Sequence, residues 1–169
     1  MDPKLWTAKV RELANMGIEY LVFMEVANEG KAYYPSKLMP WLYNDKLQSP
    51  VDAILDEAAK HGMKVFMSTG WAKDQDDNLL DPVIKERQLQ IMEELASLYK
   101  NHKAFYGWYL PVEDCLCPIF AEHAVQSVNA LTEKAHSLTP GKKTLISPYG
   151  IGLSCYLFVV FSRSIICCV

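Results

Sequence analysis

The sequence predicts an α/β fold in which helices and parallel strands alternate. Four apolar, strand-like segments have midpoints at Val22, Val65, Phe105 and Leu145, which lie 43, 40 and 40 residues apart. Segments with a helical period of apolar residues lie between them. Because two parallel strands need a long crossover connection, this alternation predicts βα units on a parallel sheet.

The composition excludes several other classes of protein. The 169 residues include 17 Lys+Arg and 20 Asp+Glu, so the formal charge is −3, and 50% of the residues are hydrophobic. A charge this close to neutral excludes a strongly basic protein that binds nucleic acid or a membrane surface. The apolar content excludes intrinsic disorder, collagen and coiled coil. The first residues lack the basic and apolar runs of a signal peptide, so the sequence as written predicts a cytoplasmic chain.

Each predicted helix has a recognisable start and stop. The first is expected from Asp2 to Gly17 and the second from Ser49 to Gly62, each with a capping residue, a proline at the first helical position and a terminal glycine. The third begins at Asp81, and its predicted buried face consists of Ile84, Ile91, Leu95 and Leu98. The fourth contains apolar residues at steps of three and four between residues 121 and 138.

The strands are predicted at residues 18–26, 63–69, 104–110 and 144–147. The first of them is a near-continuous apolar run, which predicts a strand covered on both faces. A long loop, residues 27–48, separates this strand from the second helix.

The loops that follow the strands distinguish two architectures. A doubly wound nucleotide-binding sheet is expected to carry glycines at its first strand-to-helix turn. The loops here carry carboxylates and aromatic rings instead: Glu25, Glu29, Tyr33, Tyr34, Trp71, Asp74, Glu113, Asp114 and Tyr149. A (β/α)8 barrel collects its active-site residues at the carboxyl ends of its strands. The sequence therefore predicts a partial (β/α)8 TIM barrel of about four βα units, with a doubly wound open parallel sheet as the alternative.

The last 17 residues differ from the rest of the chain. Residues 153–169 contain 13 hydrophobic residues and three of the five cysteines, and Arg163 interrupts the run. It is shorter than the ~20 apolar residues that a membrane span requires. We expect an incomplete barrel domain over residues 1–152 and an aberrant, out-of-frame tail over 153–169. The cysteine spacing fits no structural zinc site, so neither a metal nor a cofactor is predicted.

The third strand carries a resemblance to a known family. Residues 105–113 read FYGWYLPVE, which resembles the Gly-Trp-Tyr-(Leu/Ile)-Pro-x-Glu strand of bacterial barrel proteins grouped as domain-of-unknown-function family 4434. Residues 16–22 and 59–66 are similar to two further segments of that family. The resemblance covers residues 6–152 and implies a barrel that looks like a glycoside hydrolase.

The resemblance also implies a role for Glu113. If one strand is missing before residue 18, Glu113 ends the fourth barrel strand, where retaining glycosidases of this fold place the acid/base. The nucleophile of such enzymes comes from a later strand, so the resemblance implies an active parent protein and an inactive chain as written. Proteins of this kind are usually exported by bacteria, which implies an exported or periplasmic parent.

The residues themselves identify candidates for this chemistry. Glycoside cleavage needs two carboxyl groups that flank the bond. Glu113 and Glu25 are the catalytic candidates; the alternatives are a helix cap for Glu113 and an ion pair with Lys or Arg for Glu25. Asp114 is expected to position Glu113 or to cap the following helix.

The loop aromatics point to carbohydrate as the ligand. Trp71, Tyr149, Tyr33 and Tyr34 offer ring faces that stack on sugar C–H groups, or else pack their loops onto the barrel. Neither nucleic acid nor a membrane is an expected partner. A non-catalytic carbohydrate-binding fragment, or one that self-associates through exposed sheet edges, is the alternative function.

Overall fold

The computed structural model describes residues 3–28, 30–42, 48–70, 80–112, 120–147 and 164–166. The helices are α1 (Pro3–Asn15), α2 (Pro50–Lys60), α3 (Pro82–Tyr99) and α4 (Glu122–Leu138). The strands are β1 (Tyr20–Phe23), β2 (Ala27–Asn28), β3 (Lys31–Ala32), β4 (Lys64–Ser68), β5 (Phe105–Tyr109), β6 (Lys143–Ile146) and β7 (Ser164–Ile166).

Five of these strands form one parallel sheet in the order β1-β4-β5-β6-β7. The strands β2 and β3 form a small antiparallel hairpin in the connection between β1 and α2. In the main sheet each new strand is added beside the preceding one, so the order never reverses. A doubly wound sheet reverses its strand order at a switch point, whereas a barrel adds strands in one direction. This topology supports the predicted partial barrel.

The start signals of α2 and α3 act as the sequence predicts, whereas Asp2, the predicted cap of the first helix, lies outside the described residues. Ser49 caps α2, because its hydroxyl oxygen accepts a hydrogen bond of 3.0 Å from the backbone N–H of Asp52. Asp81 caps α3 in the same way, accepting at 2.8 Å from the N–H of Val83. In both helices a proline occupies the first turn, where its missing N–H costs no hydrogen bond.

The side of the sheet that faces the helices holds the main hydrophobic core. Trp108 of β5 is fully buried there, and its Nε1 donates to the Thr139 hydroxyl at 2.8 Å. That hydroxyl donates in turn to the carbonyl of Ala135, so the indole ties β5 to the end of α4. The same core includes Val65, Met67, Phe105 and Ile146 from the sheet and Ile54, Leu55, Ile91, Leu95 and Leu131 from the helices.

The opposite side of the sheet corresponds to the interior of a barrel. Its buried cluster consists of Phe66, Tyr109 and Leu145, with Tyr106 packed against them. The β4–β5 pairing runs from Val65↔Phe105 to Phe66↔Gly107, which leaves Tyr106 as the extra residue of a β-bulge. A side chain at Gly107 would meet the Lys143 carbonyl oxygen at 2.4 Å, so the close approach of β5 and β6 requires glycine.

The first strand corrects the prediction for residues 18–26. It is four residues long, and its burial alternates between exposed and partly buried instead of being covered on both faces. Leu21 and Phe23 pack against the main core, whereas Tyr20 and Val22 are exposed. The physical reason is position, because β1 is the outermost strand of the sheet and nothing in the described part of the chain covers its second face.

One predicted core residue of α3 is also wrong. Leu98 is 50% exposed. The buried stripe of α3 runs instead through Gln88, Ile91, Met92, Leu95, Ala96 and Tyr99. Leu98 lies three residues after Leu95 and therefore shares part of its face. The buried stripe is centred closer to Tyr99, which is buried, so Leu98 lies outside the stripe.

The apolar tail contains an element that the sequence analysis missed. Residues Ser164–Ile166 form β7, which pairs in parallel with β6, and Ile165 lies opposite Leu145. A three-residue strand is too short to produce a periodic signal. The division of the chain at residue 152 stays a prediction. Among the residues described, no helix is long and apolar enough to cross a membrane.

Candidate functional site at the carboxyl edge of the sheet

The carboxyl ends of β1, β4, β5 and β6 lie along one edge of the sheet, because the four strands are parallel and adjacent. Glu25, Thr69, Leu110 and Ser147 follow these strand ends. In barrels this edge forms the mouth in which ligands bind. The residues that lie along this edge therefore form the candidate site.

Glu25 lies at this edge directly after β1 and is half-buried. The side-chain amide of Asn28 donates to its Oε2 at 2.8 Å. The alternative for Glu25, an ion pair with Lys or Arg, stays a prediction. Asn28 orients the carboxylate, and the sequence analysis missed it. The sequence signal that could have identified Asn28 is an amide side chain three residues after Glu25, in a turn that contains Gly30.

The chain that follows β4 lies in close backbone contact with β2. Gly70 has a φ of +69°, and a Cβ at this position would lie 2.3 Å from the carbonyl oxygen of Ala27. Gln88, buried on α3, donates to the Gly70 carbonyl at 2.9 Å, and the Ser68 hydroxyl accepts from the Gly70 N–H at 3.1 Å. These contacts determine where the chain leaves β4 toward Trp71.

Tyr34 lies in the connection between β3 and α2 and is fully buried. Its hydroxyl donates to the Glu94 carboxylate on α3 at 2.8 Å, and the same carboxylate accepts from the Ser36 hydroxyl and the Lys37 N–H at 2.5 Å each. Burial, together with the neighbouring Glu94 carboxylate, raises the pKa of the Tyr34 phenol. Tyr34 therefore anchors its loop to α3, and its ring has no exposed surface for stacking on a sugar.

Tyr33 is half-buried, and its side chain packs against the main core. Its backbone N–H donates to the Val26 carbonyl at 2.8 Å, which joins the loop to the end of β1. Stacking of Tyr33 on a ligand stays a prediction.

Four of the predicted site residues lie outside the described part of the chain: Glu113, Asp114, Trp71 and Tyr149. Their roles stay predictions. The approach to Glu113 is described, because Leu110, Pro111 and Val112 continue from the end of β5 and are all buried.

The histidines that the structure describes belong to the helical layer. The His61 ring lies 3.3 Å from the Glu57 carboxylate. The His102 ring accepts from the N–H of Ala104 at 3.2 Å. Among the residues with described positions, no group of three His, Cys, Asp or Glu side chains is arranged to hold a metal ion.

Comparisons with known sequences agree with this fold. The sequence profile of the domain of unknown function DUF4434 matches residues 1–163. The glycosyl hydrolase DigH of Escherichia coli K12 is 33% identical in a 104-residue alignment that covers 56% of this chain and 23% of the relative. DigH of Shigella flexneri matches to the same extent. The chain thus spans about a quarter of the length of these relatives.

Solved structures with the same fold are glycoside hydrolases or related barrels. A Bacteroides thetaiotaomicron structure, assigned provisionally to the α-L-fucosidases, superposes with a TM-score of 0.71 at 20% identity and covers 88% of this chain and 46% of its own. The endo-β-1,4-mannanase of Thermotoga petrophila superposes with a TM-score of 0.62 at 14% identity, covering 86% and 39%. The chain is thus a partial (β/α)8 barrel, and the doubly wound alternative is excluded.

Proposed function

Because the chain belongs to the family of the domain of unknown function DUF4434, in the glycoside-hydrolase-like group of proteins, we propose that its carboxyl edge binds a glycan. We propose further that the whole protein hydrolyses this glycan. The observation that carries the proposal is Glu25, a carboxylate at the mouth of the barrel segment that is held in place by the amide of Asn28.

The strand positions favour Glu25 and Glu113 as two carboxyl groups that contact the same glycan. Glu25 follows β1 and Glu113 comes shortly after β5, and β4 lies between those strands. Neighbouring strands are about 4.8 Å apart, so the carboxyl ends of β1 and β5 are separated by roughly 10 Å. We propose that a glycan bound along this edge spans both strand ends.

We assign different roles to the two carboxyl groups. Glu113 follows Leu110, Pro111 and Val112 in the sequence, and the family resemblance implies the acid/base role for the glutamate of this segment. Glu25 accepts a hydrogen bond from the Asn28 amide, which orients its carboxylate along this edge. We therefore assign proton donation to Glu113 and a substrate-binding role to Glu25, with Asp114 positioning Glu113.

The aromatic residues Trp71 and Tyr149 complete the proposed site. Both come shortly after strand ends in the sequence. An aromatic ring at the mouth of a barrel offers a flat apolar surface to a sugar ring. We expect the 169-residue chain to bind glycan and not to hydrolyse it, because the resembling enzymes take their nucleophile from a later strand.

Affinity electrophoresis in gels that contain different polysaccharides tests the binding step. The variants are Glu25→Gln and Glu113→Gln, and the matched control is Glu19→Gln, an exposed carboxylate just before the opposite end of β1. We expect at least one polysaccharide to retard the wild type and Glu19→Gln equally. Glu25→Gln should bind about tenfold more weakly, the effect of losing one charged hydrogen bond. Equal migration of all forms in every gel would contradict glycan binding.

A reducing-end assay with the retarding polysaccharide tests catalysis separately. Turnover by the wild type and Glu19→Gln that is lost in Glu113→Gln would make the chain itself an enzyme. Binding without turnover in every form supports a binding segment, and the same assay must then be applied to the whole protein. If the whole protein also binds without turnover, the non-catalytic carbohydrate-binding alternative holds.

A further inference from the structure

Three hydrogen bonds from one short segment of the β3–α2 connection converge on the carboxylate of Glu94 on α3. Its Oε2 accepts from the Tyr34 hydroxyl at 2.8 Å and from the Ser36 hydroxyl at 2.5 Å. Its Oε1 accepts from the backbone N–H of Lys37 at 2.5 Å. Hydrogen bonds to a charged carboxylate are stronger than those between neutral groups. Glu94 therefore holds residues 34–37 against α3.

The same segment is attached at a second point on α3. The Ser36 hydroxyl oxygen also accepts from the backbone N–H groups of Leu38 and Met39, at 3.0 and 3.2 Å, so it joins Glu94 to the turn that follows. Arg87 donates from Nη1 to the Leu38 carbonyl at 3.0 Å. Arg87 and Glu94 are about two helical turns apart and lie on the same side of α3. The segment is thus anchored to the helix at both positions.

Backbone contacts continue from this segment to the strand end that carries Glu25. The N–H of Tyr33, the first residue after β3, donates to the Val26 carbonyl at 2.8 Å. β3 pairs with β2, which contains Asn28. The Asn28 amide in turn donates to Oε2 of Glu25 at 2.8 Å. The segment that Glu94 holds is therefore connected, through one hairpin, to the amide that orients Glu25.

The β2–β3 hairpin is too small to fix its own position. Each of its strands has two residues, and an isolated two-stranded hairpin is at best marginally stable in water. Ala27 and Ala32 are fully buried and hold the hairpin on the core, but burial of apolar surface is not directional. The hydrogen bonds to Glu94 supply the direction that burial does not.

We propose that Glu94 is the positioning residue of Glu25. It holds residues 34–37 on α3, and through the β2–β3 hairpin it fixes the Asn28 amide that orients the Glu25 carboxylate. Glu94 itself contacts no ligand. The inference rests on the proposed function only for its effect on glycan binding, because the connection from Glu94 to Glu25 can be measured without a ligand.

Two-dimensional ¹H–¹⁵N NMR of the full chain tests the positioning step. The Asn28 side-chain amide gives one pair of signals, which Asn28→Ser identifies by its loss. Glu25→Ala removes the acceptor and gives the reference position of the released amide. Glu94→Ala should move the pair most of the way to that reference. The matched control is Glu86→Ala, an exposed carboxylate on the same helix, which should leave the pair in place.

Hydrogen exchange and two milder variants show that the effect follows the hydrogen bonds. In Glu94→Ala the backbone N–H groups of Tyr33 and Lys37 should exchange about tenfold faster, the effect of losing a charged hydrogen bond. Circular dichroism checks folding. If Glu94→Ala does not fold, Glu94→Gln and Tyr34→Phe decide, because each weakens the attachment and keeps the shape of the side chain. Both should move the Asn28 signals part of the way.

Affinity electrophoresis with the retarding polysaccharide tests the effect on binding. Glu94→Ala should weaken binding about tenfold, as Glu25→Gln does, and the double variant should show no further loss, because one residue acts through the other.

Two results would overturn the proposal. The first is an Asn28 signal pair that stays in place in the folded Glu94 variants or moves equally in Glu86→Ala. The second is a double variant whose loss of binding is the sum of the single losses. If no gel retards the wild type, the proposed function fails instead, and the NMR result alone decides the role of Glu94.

Discussion

The two faces of the sheet differ in how completely this chain covers them. The face toward the helices is part of a continuous core, to which α2, α3 and α4 all contribute fully buried side chains. The inner face has a buried cluster of three residues and ends at an exposed apolar stripe on β1. Both faces belong to the same strands, so intrinsic strand propensity does not explain the difference.

Within one βα unit, the helix covers the outer face of the sheet. No element of the same unit covers the inner face. Each helix is joined to the strand that follows it by a short stretch of chain, and it packs on the sheet locally. The inner face of a barrel strand is covered by strands from the opposite side, which are distant in sequence. A segment of a barrel therefore has one complete hydrophobic layer and one incomplete layer.

The largest expected effect comes from truncating one phenylalanine on each face. Phe105→Ala removes a ring from the outer core, where it packs edge-on against Trp108 at 5.0 Å between centroids. We expect a loss of about 3–5 kcal/mol in the free energy of unfolding. Phe66→Ala should cost only about 2 kcal/mol, because its partners Tyr20 and Tyr106 are not fully buried and can move into the space.

Urea unfolding of both variants at one protein concentration measures this difference. Equal losses would show that the inner face is packed as tightly as the outer one, and the comparison between the faces would fail. A loss at Phe66 that grows with protein concentration would instead indicate that a second copy covers the inner face.

A smaller effect is expected for Gly107→Ala on the inner side of β5. The added methyl group would lie 2.8 Å from Cε1 of Phe66 and 2.4 Å from the Lys143 carbonyl. The ring can turn away, but the backbone of β6 cannot, so we expect a loss of about 1–3 kcal/mol. Gly62→Ala is the control, since a Cβ there meets nothing and only its φ of +68° carries a cost. Equal losses in the free energy of unfolding of both variants would show that steric contact is not the reason why position 107 requires glycine.

Glu57 on α2 is expected to make the free energy of unfolding depend on pH. Hydrogen bonds from Lys60, Arg11 and His61 lower the pKa of Glu57 from 4.5 to about 2. The folded pKa lies below the unfolded one, so the ionised Glu57 stabilises fully above about pH 4.5, and this contribution is lost as the pH falls toward 2. Glu57→Gln should reduce stability at neutral pH by about 1–3 kcal/mol and flatten the pH dependence in that window.

Urea unfolding at neutral pH and at steps down through that window is the measurement. Glu12→Gln is the matched control, because Glu12 pairs with Lys9 on the surface of α1 and both side chains are well exposed. Its effect should remain below about 0.5 kcal/mol. A steep acid dependence that survives in Glu57→Gln would assign the effect to other carboxylates.

The smallest expected effect is that of Leu98→Ala. Half of its surface is in water, so the loss should stay within about 0.5 kcal/mol. Leu95→Ala on the same helix removes a fully buried side chain and should cost about 2–5 kcal/mol. Similar values for the two variants in urea unfolding would contradict the burial of the α3 stripe.

Much of the fold and part of the site follow from local sequence signals. The caps at Ser49 and Asp81 and the four-strand alternation are short-range patterns, and the structure reproduces them. Glu25 is a predicted site residue because a carboxylate after a strand is visible in the sequence, and the structure places it after β1. The roles of Tyr34 and Asn28 were not visible, since the partner of Tyr34 is Glu94, 60 residues away, and the turn that brings Asn28 to Glu25 depends on the hairpin.

The sequence by itself determined the order of the four helices and of four strands of the main sheet, the parallel arrangement of those strands and the family, but not the β2–β3 hairpin or β7. These features depend on contacts within one βα unit, where apolar period and capping residues act over a few positions. Only the tertiary structure decided that β1 is open on one face, that Tyr34 is an anchor of its loop and that Leu98 lies outside the core. Such outcomes depend on which distant surfaces meet, and a periodic pattern does not specify its partner.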